Sequence, residues 1–477
     1  MDFLYRFRSI DALLGKHAEL ENQEIYFASP TQLNDPMEGF KDIFWKGDKI
    51  VWKNLFRHYI LCLIQTTYFV LISGNEYESK HADNLIFHSE STLPAAPIRE
   101  IVTEIYDECF GFRDVKNLIE FLSGRKHLIR REEFLFFMTL LNTRVFTTIL
   151  SVLSKRKQMP TLKPPLPGRL APNIDSILTQ FSKLADEPDT LGEDALTALF
   201  IASDRTNQQV RLIHFIRQAE ESRSGWWSLC SEFPDQYVAR LSKLLYVDWY
   251  AACFVAAPDQ AAMWGNYAEG HKGCCLKFRV RKHDGDVPYL PLTRITGTSA
   301  GPNGTQTIVG EAMHPFYEVK YVKKFVAIDF FRSIGRLTAA TLRKDWYSDE
   351  HGNESECADG IFSNERDWQT QYWKRFETAI TAKLEDWRHE NEYRMILHSF
   401  WDHFEDDKTR KFRYQLADLE GIIFGVATSL EDKRRIANVI ERVCKAHGRR
   451  KFEFSQAYYS ARSGKIEVHP LSLLKFE

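Results

Sequence analysis

The chain carries almost no net charge: 63 Lys and Arg stand against 65 Asp and Glu over 477 residues, a formal −2. That balance argues against a dedicated nucleic-acid or membrane-surface binder and leaves room only for a local basic groove. None of its eight cysteines forms a CxxC pair, and the only close pair is Cys274-Cys275. A structural zinc site and a secreted disulfide framework are therefore not expected. The N-terminal MDFLYRFRS lacks the uninterrupted apolar run of a signal peptide. The nearest thing to a membrane span, Tyr59 to Ser73, has 15 residues with Gln65 and two threonines inside it. A bilayer asks for about 20 apolar residues, so this segment reads as a buried core helix. His389-Glu390 does not extend to HExxH, the loop at 297–307 lacks GxxxxGK, and no internal repeat is present. These absences together predict a soluble, cytoplasmic, globular chain with no membrane partner and no assigned metal.

Aromatics, in contrast, are plentiful (34 Phe, 19 Tyr, 11 Trp), which favours a packed core over disorder. The length suggests two to three domains. Residues 4–8 read as a strand, Ser9 as the cap of a helix through Leu13 and Leu14, and Glu24 to Ser29 as a second strand ending in the turn Asn34-Asp35-Pro36. From 43 to 240 long amphipathic stretches dominate (101–122, 132–153, 191–221), interrupted by the five-proline segment 159–173, an expected linker. Strand-like text returns at 244–255, 273–280, 317–326, 393–397 and 422–426, with 377–387 reading as a helix and 297–307 as a surface hairpin. The simplest plan is an α+β fold: a core from 1–42 and 241–440, a helical insertion at 43–240, and a C-terminal extension, 441–477, packed on the core.

Four blocks carry candidate chemistry. Arg6 and Arg8 share one face of a strand and suit a phosphate or carboxylate, or else pair with an acidic neighbour. Tyr26, Ser29, Thr31, Asn34, Asp35 and Glu38 form a second block: Ser and Thr just past a strand can orient a ribose or an amide, while Asn34 and Asp35 also suit a plain turn. Trp264, Tyr267 and His271 fall at i, i+3 and i+7, one helical face that can stack an aromatic ring or simply pack as core. Glu390 and Glu392, two apart at the mouth of a strand, can stabilise developing positive charge or pair with Arg388 or Arg394. A competing outline, Pro258-Asp259 with Glu318-Val319-Lys320, matches the degenerate PD…ExK pattern of metal-dependent nucleases.

Taken in order, LYRFRS, EIYFASPTQLNDPMEG, AAMWGNYAEGHKGCCLKF, EVKYVKK, WRHENEYRMI and LEGIIFG resemble the family known as domain of unknown function 2971. The match covers roughly 1–42 and 244–428, with the helical insertion as this chain's own departure; the family implies no established activity. A weaker resemblance is to the ADP-ribosyltransferase fold: basic strand, helix, hydroxyl strand and a late E-x-E strand. It implies an NAD-cleaving or ADP-ribosyl-transferring enzyme, with Glu392 as catalytic carboxylate, Glu390 as first acid of the pair, and Arg8 and Ser29 on the early strands. Arg6, Tyr26, Asn34, Trp264, Tyr267 and His271 would hold the nucleotide, and a protein or nucleic acid would be the acceptor. Ala28-Ser29-Pro30 departs from the Ser-Thr-Ser of one branch, and the first strand lacks the histidine of the other. The alternative is a non-catalytic ligand-sensing or interaction module whose arginines and carboxylates form structural ion pairs.

Overall fold

The computed structural model describes residues 2–15, 17–73, 79–93, 96–158, 173–185, 191–217, 225–282, 287–301, 304–399 and 404–474. The expected proline-rich linker at 159–173 lies, but for Asn173, outside them. The chain is α+β and divides into two compact units: 1–40 with 247–325 and 377–477, and 41–246 with 326–376.

The first unit is built on an eight-stranded mixed sheet. Its strands are β1 (Phe3–Arg8), β2 (Trp249–Val255), β3 (Cys274–Arg279), β4 (Tyr317–Glu318), β5 (Glu392–His398), β6 (Leu419–Phe424), β7 (Glu453–Ser460) and β8 (Lys465–Pro470). Their order across the sheet is β8-β7-β6-β3-β1-β2-β5-β4, so the first strand of the chain sits at its middle. The stretch 441–477 therefore differs from an extension laid on the core: it supplies two of the sheet's own strands. Helix Leu430–Ala446 crosses between β6 and β7, which pair in parallel, the connection such pairing requires. Ser429 caps that helix through the Asp432 N–H, and Ile436, Ile440 and Cys444 form its buried stripe.

Strand alternation sorts the core. Leu4, Phe254, Phe278 and Met395 pack from one face against a second sheet made of Glu24–Tyr26, Lys411–Tyr414, Pro288–Gly301 and Arg281–Lys282. Phe7, Val255, Cys275 and Ile423 face the other way, under the short helix Ala261–Tyr267. Pro288–Gly301 and Gly304–Pro315 pair antiparallel, which puts residues 297–301 and 304–307 on two adjoining strands.

The second unit is mainly helical: Lys49–Ser73, Ala96–Gly111, Arg113–Gly124, Arg131–Lys155, Ile174–Ala185, Leu191–Arg217 and Phe233–Leu245. Residues 326–376 belong here rather than to the sheet unit. Strand Ala327–Asp329 pairs in parallel with Asp42–Phe44, and Phe331 packs edge-on against Trp52. Asn54 fixes the same segment by donating to the Trp346 and Ser348 carbonyls at 3.1 and 2.9 Å. Among the described residues two helices, Lys49–Ser73 and Arg131–Lys155, are long and apolar enough to cross a membrane, and most of each apolar window is buried inside the structure.

Candidate functional site

Glu390 and Glu392 come together, but not as two alternate residues of one strand. The expected helix at 377–387 ends early: Glu365–Ile380 is helical, Ala382–Leu384 is a strand, and Glu385–Glu390 is a 3-10 turn. Asn391, with φ of +43°, then swings the chain into β5. Asparagine tolerates this left-handed conformation better than most residues. Glu390 thus approaches from a turn and Glu392 from the strand, and the Lys383 ammonium joins them at 2.6 and 3.1 Å.

A larger cluster closes around this bridge. Arg394 donates through Nε and Nη2 to Glu392 at 2.7 and 3.1 Å. Through Nη1 and Nη2 it donates to Glu38 at 2.6 and 2.9 Å, and Nη1 also reaches the Ile380 carbonyl at 2.9 Å. The five N–H groups of a guanidinium are all accounted for. Tyr267 donates to Glu390 at 2.6 Å, and the Glu392 N–H donates to the Tyr321 hydroxyl at 3.0 Å. Side-chain exposure is 0 % for Arg394, 1 % for Glu390, 2 % for Glu38, and 4 % for both Lys383 and Glu392. Three carboxylates and two cations therefore share one desolvated cluster.

Burial alone would raise the Glu392 carboxyl, but Arg394 and Lys383 outweigh it and hold it down at about 2. Burial would likewise lower Lys383, and the charges of Glu392 and Glu390 reverse that, so its ammonium is raised. Glu38 goes the other way: its desolvation exceeds what Arg394 returns, and its carboxyl is raised. Tyr267 is raised by burial and by the Glu390 carboxylate, so it stays a donor.

The other candidates lie apart from this cluster, for a geometric reason. Tyr5 of β1 stands opposite Val255 of β2, and Val255 opposite Glu392 of β5, so these three share a face. Arg6 and Arg8 are odd steps from Tyr5 and leave by the opposite face. There Arg6 is buried, donates to the Tyr26 carbonyl at 2.8 Å and lies over the Phe254 ring. Arg8 forks onto the buried Glu19, with Nε at 2.8 Å. Their strand spacing is as expected, but interior partners hold both guanidinium groups.

Ser29 opens a 3-10 turn, Pro30–Gln32: its N–H donates to the Gln32 amide oxygen and its hydroxyl meets Thr31, each at 2.9 Å. The Tyr26 hydroxyl donates to Gln32 and Asp407. Asn34 is exposed in the turn, while Asp35 accepts from the Met37 N–H at 2.8 Å. Trp264 is core: fully buried, edge-on to Phe7, with its indole N–H donating to the Pro258 carbonyl at 2.8 Å. Nor does His271 share a helical face with it. The helix stops at Tyr267, and Glu269, Gly270 and His271 take positive φ of 52°, 61° and 69° in the turn that follows.

Of the ten candidates, the cluster gathers Glu390, Glu392 and Tyr267. Sequence reading places Glu38 in the block of Tyr26 and Ser29 without a role of its own, singles out neither Tyr321 nor Lys383, and weighs Arg394 only as an ion-pair partner. Glu38 lies inside the EIYFASPTQLNDPMEG segment, whereas Lys383 is hidden in a segment that reads as helix. Among the described residues no group of three or more His, Cys, Asp or Glu is placed to hold a metal ion. Comparison with protein-family models, with curated proteins and with solved structures finds no match to this chain.

Proposed function

We propose that this chain is a ligand-sensing or interaction module, with its arginines and carboxylates serving as structural ion pairs. The observation that supports this is the division of the candidate set across the sheet. Arg6 and Arg8 leave by one face and are held by Tyr26 and Glu19; Glu392 leaves by the other and is held by Arg394 and Lys383. A pyrophosphate grip and a catalytic carboxylate have to face one substrate, and these do not. All eight cysteines are free thiols, which suits the reducing cytoplasm.

One observation favours a second reading, NAD cleavage or ADP-ribosyl transfer. Three carboxylates against two cations leave the buried cluster one negative charge in excess. Such an excess complements the positive charge that develops on ribose as the nicotinamide bond breaks. In this reading Glu390 and Glu392 face the ribose, Tyr267 orients Glu390, and the acceptor is a protein, a nucleic acid or water.

Nicotinamide release from NAD by the purified chain, with and without cell lysate, separates the two. The sensing reading expects no release above the protein-free control and no NAD-induced shift in melting temperature. Release that both Glu392→Gln and the gentler Tyr267→Phe abolish, with each variant still folded by circular dichroism, establishes NAD cleavage instead.

A further inference from the structure

The eight-stranded sheet ends on one side in β8, which among the described residues pairs with β7 alone. Its other end is β4, only two residues long, so β8 is the edge with length enough to take another strand. Side chains alternate along it: Lys465, Glu467 and His469 are exposed, Ile466 is buried and Val468 half-buried. Ile466 belongs to the core layer of Phe7, Cys275 and Ile423, which therefore runs out to the edge itself.

The ladder fixes which backbone groups face outward. The Leu471 N–H donates to the Phe454 carbonyl at 2.8 Å, and the register runs unbroken from Ser455 opposite Pro470 to Ser460 opposite Lys465. In an antiparallel pair, bonding toward the partner recurs at every second residue. Lys465, Glu467 and His469 therefore turn their N–H groups to β7, and Ile466 and Val468 turn theirs away. Pro470 has no N–H to offer, and the Gly464 N–H is taken by the Ser460 carbonyl at 2.8 Å. Ile466 and Val468 are thus the donors of the edge, beside the outward carbonyls of Gly464, Ile466 and Val468.

A second copy of the same strand, antiparallel about a twofold axis, satisfies both donors in either of two registers. With Ile466 opposite Val468 of the other copy, Glu467 stands opposite Glu467 and like charges meet. With Ile466 opposite Ile466, Lys465 stands opposite Glu467 on both sides of the axis, and the Val468 N–H reaches the Gly464 carbonyl. Directly opposed side chains have Cβ atoms about 4.5–5.5 Å apart, close enough for charge to choose the second register. Glu467 has room for the pair. It is 44 % exposed, accepts from the Ser463 hydroxyl at 2.7 Å and lies 3.5 Å from His469, and a carboxylate has further lone pairs. Lys465 has no acidic partner among the described residues. A lysine on an edge discourages indiscriminate pairing, but the strand's own copy carries the matching acid.

We propose that β8 is a self-recognition edge, at which two copies of this chain pair Ile466 to Ile466 and continue one sheet into the other. Few backbone bonds, exposed Lys–Glu pairs and one isoleucine contact stand against the cost of association, so the dimer is weak, with a Kd of about 10–300 µM. The proposal concerns the sheet edge and stands apart from the chemistry of the buried acid cluster.

Sedimentation equilibrium on the full chain from about 10 to 300 µM tests it. The wild type is expected to shift from monomer toward dimer over that range. Lys465→Glu and Glu467→Lys each set like charges opposite one another at both contacts, and each should weaken the dimer about tenfold. Both positions are exposed, and circular dichroism checks that each variant keeps its fold. Mixed in equal amounts, the two variants should recover wild-type association, because every contact in the mixed dimer again sets an acid against a lysine. Three results would each overturn the proposal: association that neither variant weakens, weakened variants whose mixture recovers nothing, or a wild type still monomeric at about 300 µM. The last would leave the edge to a strand of another protein.

Discussion

Arg394 uses every donor it has on two buried carboxylates and a carbonyl, which makes it the residue whose loss should be felt most. Arg394→Ala strands Glu38 and Glu392 in a desolvated site and should lower the unfolding free energy by about 3–5 kcal/mol, measured by urea titration. Arg8→Ala should cost distinctly less, because the Arg8 side chain is 23 % exposed and water can replace part of what it gives Glu19. Acid should reveal a different pair of residues. Burial lowers His58 and His314 from 6.5 to about 4 each, so both are neutral when folded. The unfolded chain takes up those protons first as pH falls. Their contribution is complete above 6.5 and drains away as pH drops through 4. Glu392 adds a lower window: its stabilisation is intact above 4.5 and lost as pH falls toward 2. His58→Phe should flatten the slope of stability against pH between 6.5 and 4 by up to about 1.4 kcal/mol per unit, with the slope below 4 unchanged.

At the scale of elements, Gly265 in the helix Ala261–Tyr267 and Gly273 at the end of the turn after it have opposite duties. Gly265 is exposed in the helix with open space where a Cβ would go, so Gly265→Ala should stabilise by about 0.5–1 kcal/mol. A Cβ on Gly273 would lie 2.2 Å from the Arg8 carbonyl oxygen, so Gly273→Ala should destabilise by about 1–3 kcal/mol. Differential scanning calorimetry of the two variants checks both signs. This region also marks what the sequence could convey. Alternation in LYRFRS and GCCLKFRV and the periodicity of 132–153 were legible, because burial of one face writes itself into residue order. The paired acids were legible as a pair. The 3-10 turn at 385–390, the left-handed Asn391 and the early stop at Tyr267 were not, since tertiary contacts set those boundaries. A one-residue change of parity was enough to send Arg8 and Glu392 to different faces.

For the whole molecule, the division into units means that neither is one continuous piece of chain. Residues 41–246 alone lack strand Ala327–Asp329 and the Phe331 and Trp346 rings that finish their core. Expressed by themselves they should fail to unfold cooperatively on heating. The same residues joined to 326–376 by a flexible linker should recover a cooperative transition, followed by far-ultraviolet circular dichroism. The central place of β1 has a consequence for synthesis. Its neighbours in the sheet begin only at Trp249 and Cys274. At ribosomal speeds that leaves the strand without a partner for ~10–50 seconds. An apolar strand waiting so long invites aggregation, and Arg6 and Arg8 interrupt it with charge. Slowing or speeding the ribosome between residues 8 and 279 should therefore change how much of this protein reaches its native state.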